Sequence, residues 1–586
     1  MTVSTAIKRS LLAALTASLL GMFHVPAHAQ SGPVQLLKKR QPDRATPPGP
    51  AVEQPQSGTR APSGVTVRRL GVVSAESVGV LTSGQGGLGS GMWGNLDRSR
   101  VAALLEALPD QLASPALRDL QQRLLLTAAT IPSGEGRSIL ELRALKLAAL
   151  GDLENVERLV GSAPDRQGNE VLDRLMAEAA LMSSDPMTAC ASAGYVNQQY
   201  NTGFWQRLDI YCRIRQQDRN GAMLGLDLLR ESSGTAPFLL AAEATLAAAS
   251  QPSIQADGLD VLDVAMLIAG GYGPPPEAIE TIPTSTLLSL AFADTVPTEI
   301  RLLAAERGVA AGVVEADTLR SIYQFVGFGT AQISDPIAAA GTLAPGQARA
   351  LLYQASQSQS FDAAQAELMR AALATAGTAW QYLVVAHAFQ PVVSSISPNP
   401  SLNWFAPFAV AGLLTAGDYP SAERWVAMME ANAPVSDEAA RLAHDLRPLI
   451  WVAQSPVPTL PQIASVFPGT DAGADLSVRA RLLPLMAAVD IETPGESWTP
   501  LLSWTAPQAV EIAPEHLIAG LRRASNENRT AETAVLALRL LGAAGPGGSA
   551  RQAVVVAVEA LNRVGLEMDA RAIALESAIA GIGSGS

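Results

Sequence analysis

Cys190 and Cys212 are the only two cysteines among 586 residues. Their midpoint is Asn201, inside the turn-forming run Tyr200-Asn201-Thr202-Gly203. Cysteines equidistant from the turn of an antiparallel helix pair lie at one height, so the spacing predicts that their β-carbons approach to disulfide range. In an oxidising compartment such a pair bonds; in a reducing one it is two small buried apolar side chains. Histidine chemistry has little to work with. Of five histidines, His24 and His28 fall in the first thirty residues, and His387, His444 and His516 are far apart. His387 sits in the apolar run Val384-Val385-Ala386-His387-Ala388-Phe389 and reads as a core histidine.

No phosphate-cradling G-x-x-x-x-G-K-S/T, zinc-binding H-E-x-x-H, redox C-x-x-C or nucleophilic G-x-S-x-G occurs. Gly84 to Gly91 is glycine-rich but follows no strand and precedes no phosphate-binding lysine. Carboxylates are plentiful, and a glycosidase needs only two, but context singles out none. The sequence therefore assigns no catalytic residue, no cofactor and no metal, and a non-enzymatic chain is expected. Rings are a different matter. Six of the eight tryptophans lie from Trp380 onward. A core of small alanine-rich helices has little need of so many large rings. Trp404, Phe405, Trp425 and Trp451 are thus expected to line a partner surface; ordinary packing between helices is the plain alternative.

The elements that would position these residues are helices. Alanine and leucine supply most of the 48% apolar content while aromatics are only 5%, which favours helix over sheet. Ser114-Pro115 offers a cap followed by proline at the first helical position, and Ser436-Asp437-Glu438 places acids at the positive end of a helix dipole. An internal period appears at Asp152, Asp185 and Asp218, each 33 residues from the next. Ten residues before each lies a leucine (Leu142, Leu175, Leu208), and four after each a small or branched residue (Val156, Ala189, Ala222). A further copy runs Phe408, Gly417-Asp418, Ala422. An Asp that caps the second helix, with a small residue where two helices cross, is a helix-turn-helix unit of tetratricopeptide length. The expected fold is all-α: an α-solenoid of irregular tetratricopeptide-like repeats, stacked in an open curve, after a disordered N-terminal segment.

Five regions follow. Residues 1–29 read as a signal peptide, with Lys8 and Arg9 before an apolar stretch from Leu11 to Met22 and cleavage after Ala29 in Ala27-His28-Ala29. Residues 30–96 read as a disordered, Pro/Gly-rich basic linker, although Val65 to Thr82 alternates weakly as a short strand would. Residues 97–250 hold the tetratricopeptide-like repeats, 251–390 a middle helical region and 391–586 the tryptophan-rich helical region. The expected location is periplasmic, with no transmembrane span in the mature chain. Formal charge is −13, and since residues 30–70 carry +5 and the signal +2, residues 71–586 carry −20. That sign opposes nucleic-acid binding.

Met92-Trp93-Gly94, Ser114 to Leu120, Leu226-Asp227-Leu228-Leu229-Arg230, Arg301 to Arg307 and the Trp404 to Trp425 region resemble landmarks of exported alphaproteobacterial proteins of the tetratricopeptide-like helical-repeat type. The resemblance spans most of the mature chain. It implies export and a helical-repeat fold, and brings no activity or catalytic residue with it. The function expected is an exported scaffold that binds an envelope protein or peptide. The alternative is a cell-wall (peptidoglycan) enzyme or its accessory subunit, by analogy with transglycosylases that carry a helical superhelix.

Overall fold

At Gly151-Asp152, Gln217-Asp218 and Gly417-Asp418 only three residues separate the end of one helix from the start of the next. The residue before each Asp takes a left-handed backbone, with φ of 84°, 64° and 77°. That bend returns the Asp N–H to the carbonyl five residues earlier, on Leu147, Arg213 and Leu413, and satisfies a carbonyl the helix end would leave open. The same Asp then turns its carboxylate to the next helix. Asp152 accepts from the N–H of Asn155, Asp218 from that of Gly221 and Asp418 from that of Ser421. Asp185 caps the N–H of Met187 in the same way, but what it opens is the single 3-10 turn Pro186–Ala189. Leu142, Leu175, Leu208, Val156, Ala189, Ala222 and Ala422 are all buried, and Phe408 is half-buried. The backbone hook also recurs where the sequence carries no Asp. The N–H of Ala249, Tyr272, Val313, Ile491, Arg529 and Leu566 each returns to a carbonyl five residues back.

The protein is described here from a computed structural model, which covers residues 74–583 apart from 165–167, 192–198, 201, 234–235, 455–456, 470–475 and 506–512. The chain divides after Leu70, and all described residues belong to the unit Gly71–Ser586. The signal peptide expected over 1–29 and most of the linker expected over 30–96 lie outside the described residues. The disordered linker expected to run to residue 96 does not do so, because from Ser74 onward the chain is built into the helical body. Glu76 accepts from the N–H of Ile139 (2.6 Å) and of Leu140 (3.3 Å), capping the helix Ile139–Ala149 from outside. Met92 and Trp93 are core residues. The glycine-rich Gly84 to Gly91 stretch is ordered too: Arg123 donates to the Gly86 carbonyl, and Leu88 N–H to the Thr127 hydroxyl. Of the segment Val65 to Thr82, where a short strand was expected, residues 65–73 lie outside the described residues; the rest makes one bridge, Leu81 with Thr127, and no strand exists among the described residues.

Successive helices pair throughout. Gly203–Arg215 packs on Arg219–Ser233, Pro345–Ser358 on Asp362–Ala374, Ala406–Thr415 on Tyr419–Asn432, and Arg551–Arg563 on Glu567–Gly583. The structure is therefore all-α, with many helix pairs packed together. Its connectivity differs from an open stack, in which the first and last helices would stay apart. Pro115–Leu126 packs against Thr530–Leu541 and Glu567–Gly583. Arg123 Nη1 binds both oxygens of Asp569 at 2.7 and 2.8 Å. Glu576 accepts from the Ser114 hydroxyl and from the Ala116 N–H (2.8 Å), capping Pro115–Leu126 from the far end of the chain. Arg100 pairs with Glu532 at 2.8 Å, and Ala531 N–H reaches the Met92 carbonyl. One core accordingly includes residues from Val78 to Leu175 and again from Ala291 to Ile579, and a second lies within Ala177 to Tyr272. The first encloses an ion pair: Glu306 accepts from Arg349 and from the Tyr323 hydroxyl (2.6 Å), while Arg349 also reaches Thr375.

Candidate binding surface

The cysteine pair closes as its spacing requires. Cys190 and Cys212 form a disulfide with 5.5 Å between their α-carbons. Cys212 lies on the helix Gly203–Arg215, and Cys190 terminates the Pro186–Ala189 turn. The bond fixes that short turn to a full helix. The turn centre expected at Asn201 lies outside the described residues.

The aromatic surface is corrected. Phe405 and Trp425 are 0% exposed and Trp451 is 9% exposed, so three of the four rings are core. Trp425 meets Phe405 edge to face at 5.7 Å. Trp404 alone is half-buried, beneath the guanidinium of Arg370 at 6.0 Å. The physical reason is volume: alanine-rich helix faces leave wide gaps where several helices meet, and large rings fill them. Phe405, Trp425 and Trp451 therefore present no ring to a partner, and only Trp404 keeps part of its ring open.

A cleft lies where distant segments converge, lined by Asp110, Arg118, Leu150, Thr284, Arg307 and Ala311. Its cations serve helix ends. Arg118 donates to the Ala310 carbonyl at 2.6 Å, at the negative end of the helix Thr298–Ala310. It fits because Gly312 lies beneath it, with φ of 69° and no room for a β-carbon, which would stand 2.2 Å from Arg118 Nη1. Arg307 pairs with Glu280 at 3.2 Å, and Asp110 with Lys146 at 2.7 Å. His387 lies close by, and burial, with Arg320 and Arg118, pushes its imidazole below the usual range, which keeps it neutral. Among the described residues no group of three His, Cys, Asp or Glu side chains could hold a metal ion.

The feature that sequence reasoning missed lies elsewhere. Asp335 is the only charged residue between Arg320 and Arg349. Within that stretch two short helices, Thr330–Ser334 and Pro336–Ala340, bury no residue. Phe325 is 90% exposed, Ile333 58%, Ile337 47% and, just past the next helix, Phe361 76%. Pro345–Ser358 carries this excursion, packing against Ala316–Phe325 and Pro336–Ala340, while Gln354 donates to the carbonyls of Tyr323 and Val326. Bulky apolar side chains presented on ordered helices in so sparsely charged a stretch make this the candidate binding surface. The signal in the sequence was the missing charge. Against protein-family models, curated proteins and solved structures, the chain has no match.

Proposed function

We infer that the protein is an exported, non-enzymatic scaffold of tetratricopeptide-like helix pairs, and that it binds another protein through the face bearing Phe325, Ile333, Ile337 and Phe361. The observation that supports this reading is the exposure of those four side chains, three of them on the stretch between Arg320 and Arg349 whose single charged residue is Asp335. Charge selects the class of partner. A body of −20 repels nucleic acid and anionic lipid surfaces alike, whereas an apolar segment of a protein is drawn to such a face by burial alone. Export rests on the N-terminal signal pattern with cleavage after Ala29, and the disulfide is compatible with a periplasmic location. No helix among the described residues is long and apolar enough to cross a membrane.

The test compares the chain with its Phe325→Ser, Ile337→Ser variant in capture from envelope extract. Because both side chains are exposed, melting should be unchanged while a specific co-purifying protein is lost. Equal capture by the two forms would refute the surface. Cosedimentation of the wild type with zwitterionic vesicles, lost in the variant, would replace the protein partner with lipid.

A further inference from the structure

The helix Val261–Gly270 opens with a reciprocal cap. Asp260 accepts from the N–H of Asp263 at 3.0 Å, and Asp263 from that of Asp260 at 2.8 Å. This places two carboxylates within one turn. Arg207, on the helix that carries Cys212, reaches both, with Nη2 2.5 Å from Asp260 and Nη1 3.4 Å from Asp263. Glu178, on Glu170–Leu181, stands within electrostatic reach of Asp260 and Arg207 and is bound by Arg174 at 2.8 Å. Both guanidiniums are seated on rings: Arg174 lies 4.8 Å from Phe204 and Arg207 5.8 Å from Phe238. The other elements packed on this helix add nothing to the balance. Thr284–Thr286 has no charge, and Glu243, the one charged residue of Pro237–Ala247, is held by Arg230. Three carboxylates thus face two guanidiniums. Asp263 is deeply buried and takes the longer, weaker contact to Arg207.

We propose that this junction is a proton-operated latch: Asp263 takes up one proton as the surroundings acidify, Arg207 then serves Asp260 alone, and the helices Glu170–Leu181, Gly203–Arg215 and Val261–Gly270 grip each other more tightly. The uptake falls in a mild range. Burial, and after it the charge of Asp260, push the Asp263 carboxyl up to about 6. Asp260 is held below the usual range by Arg207, although burial opposes this. The sign follows from linkage. A carboxyl that binds its proton more tightly when folded adds stability below about pH 6, and that stability is lost as pH rises through 6. The latch operates whether or not the Phe325 face binds a partner.

Hydrogen exchange of the Val261–Gly270 amides tests it, on the full chain at pH 5 and pH 7.5, corrected for intrinsic exchange. In the wild type, protection should be greater at pH 5, by roughly tenfold, because pH 5 lies about one unit below the carboxyl's value of about 6. Asp263→Asn should be as well protected at pH 7.5 as the wild type is at pH 5, with no pH dependence of its own. Asp260→Asn removes the neighbouring charge and should move the transition to lower pH. An Asp263→Asn protein that is less protected than wild type at pH 7.5, or that keeps the pH dependence, overturns the latch. If Asp263→Asn does not fold, an unmoved transition in Asp260→Asn overturns it instead.

Discussion

At the scale of single residues, burial decides what the tryptophans do. Trp425 is fully enclosed against Phe405, whereas Trp404 is half open. Trp425→Ala should therefore cost about 3–5 kcal/mol in urea denaturation, the usual range for a large ring lost from a core. Trp404→Ala should cost clearly less, because part of its ring already meets water. Equal losses would mean that Trp404 is also enclosed in solution. The sequence places these rings on helices correctly, yet it misassigns their role. A ring's burial depends on how the neighbouring helices close over it, here Ala406–Thr415 and Asp437–Ala453 over Tyr419–Asn432, and residue type alone does not report that packing. Cys190 and Cys212 were legible because they are close in the chain, with a sequence separation of 22.

At the scale of elements, the recurring turn is the part of the fold most open to sequence reading. Its ingredients are adjacent in the chain: a left-handed residue, then an Asp that closes one helix and caps the next. The hooks at Ala249, Tyr272, Val313, Ile491 and Leu566 escaped notice because the backbone makes them without an Asp to mark them. Two turn glycines that look alike in sequence should behave differently. A β-carbon at Gly417 would meet nothing within 4 Å, so Gly417→Ala pays only for the left-handed backbone, about 1 kcal/mol. One at Gly151 would stand 2.8 Å from Thr284 Cγ2 and 2.9 Å from Val313 Cγ1. Gly151→Ala should cost at least 1 kcal/mol more, since overpacking adds roughly 1–3 kcal/mol. Thermal unfolding of the two variants side by side measures the difference, and equal melting temperatures would contradict the close approach of this turn to Thr284.

At the scale of the whole described body, the joining of its ends is what a repeat reading cannot foresee. Each repeat reports only its neighbours, while Arg123–Asp569 and Ser114–Glu576 connect residues more than 440 positions apart. Deleting the last helix, Glu567–Gly583, should therefore destabilise far more than that helix. It strips Pro115–Leu126 of a packed face, of its cap from Glu576 and of the Arg123 ion pair, so the urea midpoint should fall sharply and other regions should unfold with it. A truncated chain with an unchanged midpoint would restore the open stack. Mild acid should not part these ends. Burial raises the carboxyls of Asp569 and Glu576, so each gains its proton more readily when folded, and their contribution to stability grows as pH falls into the carboxylate range.

The joined body leaves Phe325 and its neighbours outside, and the functional reading rests on that face being occupied by another protein. A photo-crosslinking side chain placed at Phe325 tests this most directly, with the same side chain at Arg523, which is exposed on the helix Glu515–Asn526, as the control. In intact cells, irradiation should join the Phe325 position to one discrete protein and leave the Arg523 position unlinked. No adduct at Phe325, or the same adducts from both positions, would contradict the account.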